Sequence, residues 1–258
     1  EKEMKIGNPL ISVNSNSPVC ITDSIRLSAA TNNLLMYLWT GPLGLNCTNM
    51  DTTFEASLAK AGTYTLQTSD STGCNIKTYN LNVVVNSLPI KGSILGDTAV
   101  CSTGSNLSLK IVGNTGVLNN WQKSETTTGP WIDLVESTNI LTLNNSSSTL
   151  YYRGVLSNGG CVINTDSVLV QVDNKTNGGF LVGTNKLCFG EYLDVQLQGK
   201  SGTMLSWTSS TNGGALWDTL TTTSLDFIEN SISDTMLIFA SVQSGVCPIE
   251  NSDTLEVI

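Results

Sequence analysis

Apolar and polar residues alternate along this chain in short runs. Ile25-Arg26-Leu27-Ser28-Ala29, Leu107-Ser108-Leu109-Lys110-Ile111 and Leu193-Asp194-Val195-Gln196-Leu197 form one set. Thr63-Tyr64-Thr65-Leu66-Gln67, Tyr151-Tyr152-Arg153-Gly154-Val155 and Met236-Leu237-Ile238-Phe239-Ala240 form a second. Leu81-Asn82-Val83-Val84-Val85, Val168-Leu169-Val170-Gln171-Val172 and Leu255-Glu256-Val257-Ile258 form a third. A period of two marks strands with one buried face. Such runs, separated by turn residues roughly every 8 to 12 positions, predict β-sandwiches. Helical spacing never exceeds a turn. The nearest candidate, Phe54 to Ala61, is stopped by Gly62.

The runs recur in register with fixed markers. Cys20, Cys101 and Cys188 each precede a Trp by 19 to 20 residues: Trp39, Trp121 and Trp207. A second Cys follows the first by 54 to 60 residues: Cys74, Cys161 and Cys247. Each second Cys closes a Gly-bearing turn. Four markers in one order, three times, define repeats of 81 to 87 residues. The expected domains are 1–87, 88–174 and 175–258, an all-β array of three tandem sandwiches in an elongated arrangement. Trp39, Trp121 and Trp207 take the place where a sandwich buries a Trp on its third strand, so they are expected in the cores.

Composition narrows the function. Acidic residues outnumber basic ones 21 to 12 and only 13% are charged, which argues against nucleic acid and anionic membrane surfaces as partners. No apolar run reaches the roughly 20 residues of a membrane helix. The start, Glu1-Lys2-Glu3-Met4-Lys5, has no signal-peptide character, so targeting and sorting segments are expected to lie outside this fragment.

Histidine is absent. This removes the commonest general base and the usual zinc nitrogen ligand. No Gly-x-Ser-x-Gly motif occurs. Carboxylates sit mostly at turns and strand starts rather than in a recognisable glycosidase pair. Asn177-Gly178-Gly179 and Asn212-Gly213-Gly214 read as turns, not phosphate loops. No catalytic residue, cofactor or metal site is expected. The nearest approach to a structural calcium site is the turn oxygens of Asn49, Asp51 and Asp70, without EF-hand spacing.

Particular segments carry a resemblance. Trp39-Thr40-Gly41-Pro42-Leu43-Gly44, Ala61-Gly62-Thr63-Tyr64-Thr65-Leu66 and Ser69-Asp70-Ser71-Thr72-Gly73-Cys74 resemble the PKD-like and immunoglobulin-like repeats of giant Bacteroidota adhesins exported by the type IX secretion system. Trp121-Gln122-Lys123-Ser124, Trp131-Ile132-Asp133-Leu134, Leu150-Tyr151-Tyr152-Arg153 and Gly159-Gly160-Cys161 resemble a sister repeat of those proteins. The third repeat follows it more loosely, with Phe239-Ala240 in place of the Tyr-Arg pair. The resemblance implies an immunoglobulin-like fold, an extracellular cell-surface location and a stalk or adhesive segment for surface attachment or gliding motility. Two rival functions stay open: carbohydrate-binding or spacer modules of a secreted polysaccharide-degrading enzyme, and a protein-binding scaffold of the secretion or motility apparatus. The partners this implies are neighbouring repeats of the same chain, a surface polysaccharide, or an envelope or secretion-system protein. Eight Asp-Ser/Thr pairs followed by Ala, Ile, Leu, Val, Met or Thr are similar to the O-glycosylation sites of such secreted proteins. They make Ser24, Thr52, Ser71, Thr98, Ser167, Thr219, Thr235 and Thr254 candidates. The same triplet also begins an alternating strand after a turn.

Seven cysteines leave one over, and Cys47, with no counterpart in the other repeats, is the expected free thiol. An exported chain favours disulfides among Cys20, Cys74, Cys101, Cys161, Cys188 and Cys247. In an immunoglobulin-like topology the first Cys of a repeat lies at one end of the sandwich and the second at the other, about 20 Å away for a strand of seven residues. A disulfide needs Cα atoms within about 7 Å. End-to-end repeats would therefore let Cys20 meet Cys161 and Cys101 meet Cys247, leaving Cys74 and Cys188 for neighbours outside the fragment. Pairing inside each repeat (Cys20 with Cys74, Cys101 with Cys161, Cys188 with Cys247) and fully reduced thiols are the alternatives.

Overall fold

The alternating runs are strands in the computed structural model, which describes residues 11–30, 35–104, 106–144, 146–188, 190–230 and 232–258. The first residues, from Glu1, lie outside the described set. Among the described residues the only helical elements are single 3₁₀ turns, Pro42–Gly44 and Leu58–Lys60. The second of these occupies the Phe54 to Ala61 stretch, after the strand Thr52–Glu55. The chain resolves into two compact units: Glu1–Ser93 with Ile111–Trp121 and Gly154–Asp166, and Ile94–Lys110 with Gln122–Arg153 and Ser167–Ile258. The middle Cys/Trp repeat contributes to both.

In the first unit, Ser12–Ser15, Ser24–Ala30 and Thr52–Glu55 form one antiparallel sheet. Leu45–Cys47, Met36–Gly41, Gly62–Ser69 and Lys77–Val83 form the facing one. A short strand, Val19–Cys20, leaves the first sheet and runs parallel to Val85–Asn86. Ile25, Leu27 and Ala29 point inward at every second position and meet Trp39, Leu66 and Val83 from the other sheet. Trp39 is fully buried and its indole N–H donates to the Met50 carbonyl, 3.2 Å. The polar edge of the ring is thus satisfied inside an apolar core. Tyr64 is also fully buried, and its hydroxyl donates to the Lys60 carbonyl, 2.7 Å, four residues upstream. This is the tyrosine corner of immunoglobulin-type sandwiches. Burial raises the Tyr64 phenol above its usual pKa. Gly41 lies against that ring, where a β-carbon would collide with it.

In the second unit the third repeat shows the same design. Phe180–Gly183, Leu193–Gln198 and Asp226–Glu229 form one sheet. Asp218–Thr221, Thr203–Ser210, Met236–Gln243, Glu250–Asn251 and Leu255–Val257 form the other. Leu193, Val195, Leu197, Trp207, Ile238, Ala240 and Val242 fill the space between them. Trp207 donates to the Ser224 carbonyl, 3.1 Å, and packs on Phe227 with ring centroids 5.6 Å apart. The middle repeat places Leu107–Val112 against Ile140–Leu143, and Ala99–Cys101 parallel to Val168–Asp173. It buries Trp121, Leu109, Tyr152 and Val170. The fold is all-β, built of tandem immunoglobulin-like sandwiches.

Candidate functional site: the joints between repeats

In the first two repeats the first Cys ends a short strand that lies parallel to the repeat's last strand. Cys20 stands opposite Asn86 and Cys101 opposite Asp173. The second Cys follows the hairpin between the last two long strands. The hairpin of one repeat meets the last strand of the repeat before it.

At the first joint, within the first unit, Cys20 is bonded to Cys161 with Cα atoms 5.6 Å apart. The Asn86 side-chain amide donates to the Gly159 carbonyl, 2.8 Å. In return the Asn158 amide donates to the Ser87 carbonyl and hydroxyl, each 3.1 Å. Gly159 has φ +56°, and a β-carbon there would run into the Asn86 amide. Both facts require glycine. Lys91 and Asp166 form a neighbouring ion pair at 3.1 Å, too exposed to contribute much.

The second joint, within the second unit, repeats this plan with other side chains. Cys101 is bonded to Cys247, Cα atoms 4.8 Å apart. Asp173 Oδ2 accepts the Val246 N–H, 2.8 Å. Gly245, φ +50°, sits where a β-carbon would strike the Asp173 carboxylate. The Ser244 N–H donates to the hydroxyl of buried Thr176, 3.1 Å, and the Lys175 N–H to the Ser102 hydroxyl, 3.0 Å. The sequence reading picked out the cysteines and the Gly-bearing turns before them, but missed Asn86 and Asp173 and the fit of Gly159 and Gly245 against them. The signal was present: a glycine two residues before Cys161 and Cys247, and an amide or carboxylate closing the preceding last strand.

Among the described residues Cys74 and Cys188 form no disulfide and are exposed, and Cys47 is a free, half-buried thiol beside the first core. Of the glycosylation candidates, Ser71, Thr98, Ser167, Thr219, Thr235 and Thr254 are exposed. Ser24 and Thr52 are half-buried in paired strands.

The Asp70 carboxylate is occupied by its own turn. It accepts the Thr72 hydroxyl at 2.6 Å, the Asn75 amide at 2.8 Å, and the Cys74 and Thr72 backbone N–H groups at 2.9 and 3.0 Å. These bonds, the Thr72 hydroxyl foremost, lower its pKa to about 2. Asp51 accepts the Ala29 N–H, 3.3 Å. Among the described residues no three His, Cys, Asp or Glu side chains are grouped to hold a metal ion. Ser57 and Lys60 have the Ser-x-x-Lys spacing of a lysine-activated nucleophile, a motif that the sequence reading wrongly held absent. Ser57 precedes a 3₁₀ turn whose last residue is Lys60, and Lys60 Nζ donates to the Glu55 carbonyl at 2.7 Å. The remaining tryptophans lie on outer faces. Trp131 sits under the Arg153 guanidinium, 4.0 Å away, and Trp217 meets Phe239 edge-on at 5.1 Å. No described helix is long and apolar enough to cross a membrane.

Among solved structures, a three-immunoglobulin-domain fragment of titin carrying Glu-to-Ala mutations is similar over 95% of this chain and 96% of its own, with TM-score 0.52 and 12% identity. An I-band fragment of titin aligns over 96% of both chains, with TM-score 0.48 and 14% identity. Extracellular domains 3–5 of Drosophila OTK align over 93% of this chain and 92% of theirs, with TM-score 0.40 and 10% identity. At such identity the first of these speaks to fold alone, and the other two scores are too low to add to it. A search of curated proteins finds no match. One family model, described as "Domain of unknown function (DUF8696)", matches twice, over residues 90–174 and 177–258. The chain, matched over most of its length, belongs to the DUF8696 family.

Proposed function

We propose that this chain is a non-catalytic stalk or adhesive segment of a large secreted cell-surface protein, serving surface attachment or gliding as in the Bacteroidota adhesins its repeats resemble. The observation that carries the reading is the joint. The chain spends its disulfides on bonds from one repeat to the next, twice, rather than inside the sandwiches. A bond of that kind holds neighbours in a fixed register under load, which a spacer needs and an isolated binding module does not. Two disulfides also fit an oxidising location outside the cytoplasm. The exposed Ser and Thr of the Asp-Ser/Thr-apolar triplets fit glycosylation there. Antibody raised against the chain is expected to label intact producing cells, and removing the repeats from the parent protein is expected to abolish attachment or gliding. Labelling only after lysis would overturn the location. Normal attachment without the repeats, together with binding of the isolated chain on a glycan array, would favour the carbohydrate-binding rival.

A further inference from the structure

Tyr152 takes in the middle repeat the place that Tyr64 takes in the first. Tyr64 stands opposite Leu81, two residues before buried Val83, and Tyr152 stands opposite Val168, two residues before buried Val170. Both rings are buried, but their hydroxyls differ. Tyr64 closes its corner on the carbonyl four residues upstream. Ser148 is the residue four upstream of Tyr152, and no such bond forms there. Among the described residues the Tyr152 hydroxyl has no hydrogen-bond partner, although the side chain is only 4% exposed, and its oxygen is not sealed from solvent. It forms part of the wall of a groove of about 300 Å³. Burial raises its pKa above the usual phenol value, so the group stays a neutral donor.

Lys123 lines the same groove, on the strand Val117–Ser124, two residues beyond core Trp121. It is half-buried, and among the described residues its ammonium has no carboxylate partner. In a chain of net charge −9 a counter-charge is the easy solution, and taking an ammonium part-way out of water without one is unfavourable. Thr142, Asn144, Ser147 and Ser148 add hydroxyl and amide groups to the wall. A second depression, of about 400 Å³, shares Lys123, Ser148 and Leu150 with the first, and Glu125 lies in the second alone. The groove lies wholly within the second unit.

We propose that this groove binds an acidic saccharide, with the Lys123 ammonium and the Tyr152 hydroxyl donating to the carboxylate of a uronic-acid unit while Thr142, Asn144 and Ser148 meet its ring hydroxyls. Donors of this kind make charge-assisted bonds to a carboxylate, which are shorter and stronger than neutral ones. The volume is at the small end for a ligand site and suits a single sugar unit of a longer chain. Glu125 disfavours a carboxylate in the adjoining depression, which sets the acidic unit beside Tyr152. The inference rests on the groove and not on the stalk reading.

Other ligands match less of the wall. An Asp or Glu side chain of a partner protein would engage Lys123 and Tyr152 and leave Thr142, Asn144 and Ser148 to water. A neutral sugar would leave the ammonium uncompensated. The first repeat cannot offer the same pair, because its corner hydroxyl is already bonded and Gly41 stands two residues beyond Trp39. Nor can the third, where Ile238 stands opposite Leu255 and Ser209 follows Trp207 by two residues.

The test is isothermal titration calorimetry of the full chain against uronic-acid trisaccharides (galacturonic, glucuronic and mannuronic), beside the neutral galactose trisaccharide and a Glu-rich peptide. The expected result is saturable binding of at least one acidic trisaccharide, weakened by salt, and no binding of the neutral one. Lys123→Met and Tyr152→Phe should each weaken it about tenfold. Tyr152→Phe should leave the unfolding midpoint unchanged, since its hydroxyl supports no bond in the fold, and it carries the comparison if Lys123→Met fails to fold. Failure of the wild-type chain to bind any acidic trisaccharide would overturn the proposal. So would unchanged affinity in a folded variant, or equal binding of the neutral sugar. Tighter binding of the Glu-rich peptide than of every saccharide would overturn it too, and would assign the groove to an acidic protein surface.

Discussion

Pulling the chain by its ends reads out how the two disulfides are interleaved. Cys20–Cys161 and Cys101–Cys247 are separated by 141 and 146 residues and overlap in sequence. The shortest covalent path runs from the N-terminus to Cys20, across to Cys161, back along the middle repeat to Cys101, across to Cys247, and out to residue 258. That path holds about 90 peptide units, which at roughly 3.6 Å each extend to about 330 Å. The fully reduced chain reaches about 930 Å on the same scale. Cys20→Ser removes the first bond but lengthens the path only to about 400 Å, and Cys247→Ser only to about 420 Å, because the surviving bond still bypasses most of the chain. The two changes together release about 600 Å. Single-molecule extension, with Cys47, Cys74 and Cys188 blocked, measures these lengths. Bonds inside each repeat give a different pattern: Cys20→Ser alone would add about 190 Å, and successive removals would add in proportion to each loop. Additive gains of that kind would refute the interleaved connectivity.

Three further outcomes follow from particular contacts. Tyr64→Phe leaves the Lys60 carbonyl without its 2.7 Å donor, and chemical unfolding followed by Trp39 fluorescence should show a loss of about 1 kcal/mol; no loss would mean the corner is not formed. Gly245→Ala forces a left-handed backbone position costing roughly 1–2 kcal/mol and displaces Asp173. Cys101–Cys247 should then be reduced faster by a soluble dithiol while Cys20–Cys161 keeps its rate; equal rates before and after would contradict the fit at Gly245. The Asp70 carboxyl should titrate near 2 by NMR. Its folded pKa is depressed, so the turn it organises is fully favoured above the ordinary carboxylate range and weakens as pH falls through about 2. A midpoint near 4 would rule out the turn hydrogen bonds.

The parts of this architecture that rest on local pattern were legible in the sequence. Alternation at Ile25, Leu27 and Ala29 is a property of one strand and needs no partner to be read. The spacing from Cys to Trp placed Trp39, Trp121 and Trp207 on the strand that crosses the core. What was not legible depends on which surfaces touch. Asn86 reads as an ordinary strand-end residue until Gly159 is placed against it. Asp173 and Gly245 lie 72 positions apart in the sequence and become a pair only through the joint. Tyr64 could have been read as a corner residue from Lys60 to Leu66, but the matching strand of the third repeat has no tyrosine to make the pattern repeat. The geometric limit on disulfides set Cys20–Cys161 beside Cys20–Cys74 as open alternatives. Only the parallel strand Val19–Cys20, running beside Val85–Asn86, fixes the end of the sandwich at which Cys20 emerges.

The central claim is that the disulfides join one repeat to the next. Proteolysis of the unreduced, thiol-blocked protein followed by mass spectrometry of the linked peptides tests it most directly. The account predicts a Cys20–Cys161 peptide and a Cys101–Cys247 peptide, with the blocking label on Cys47, Cys74 and Cys188. A Cys20–Cys74 or Cys188–Cys247 peptide would contradict it.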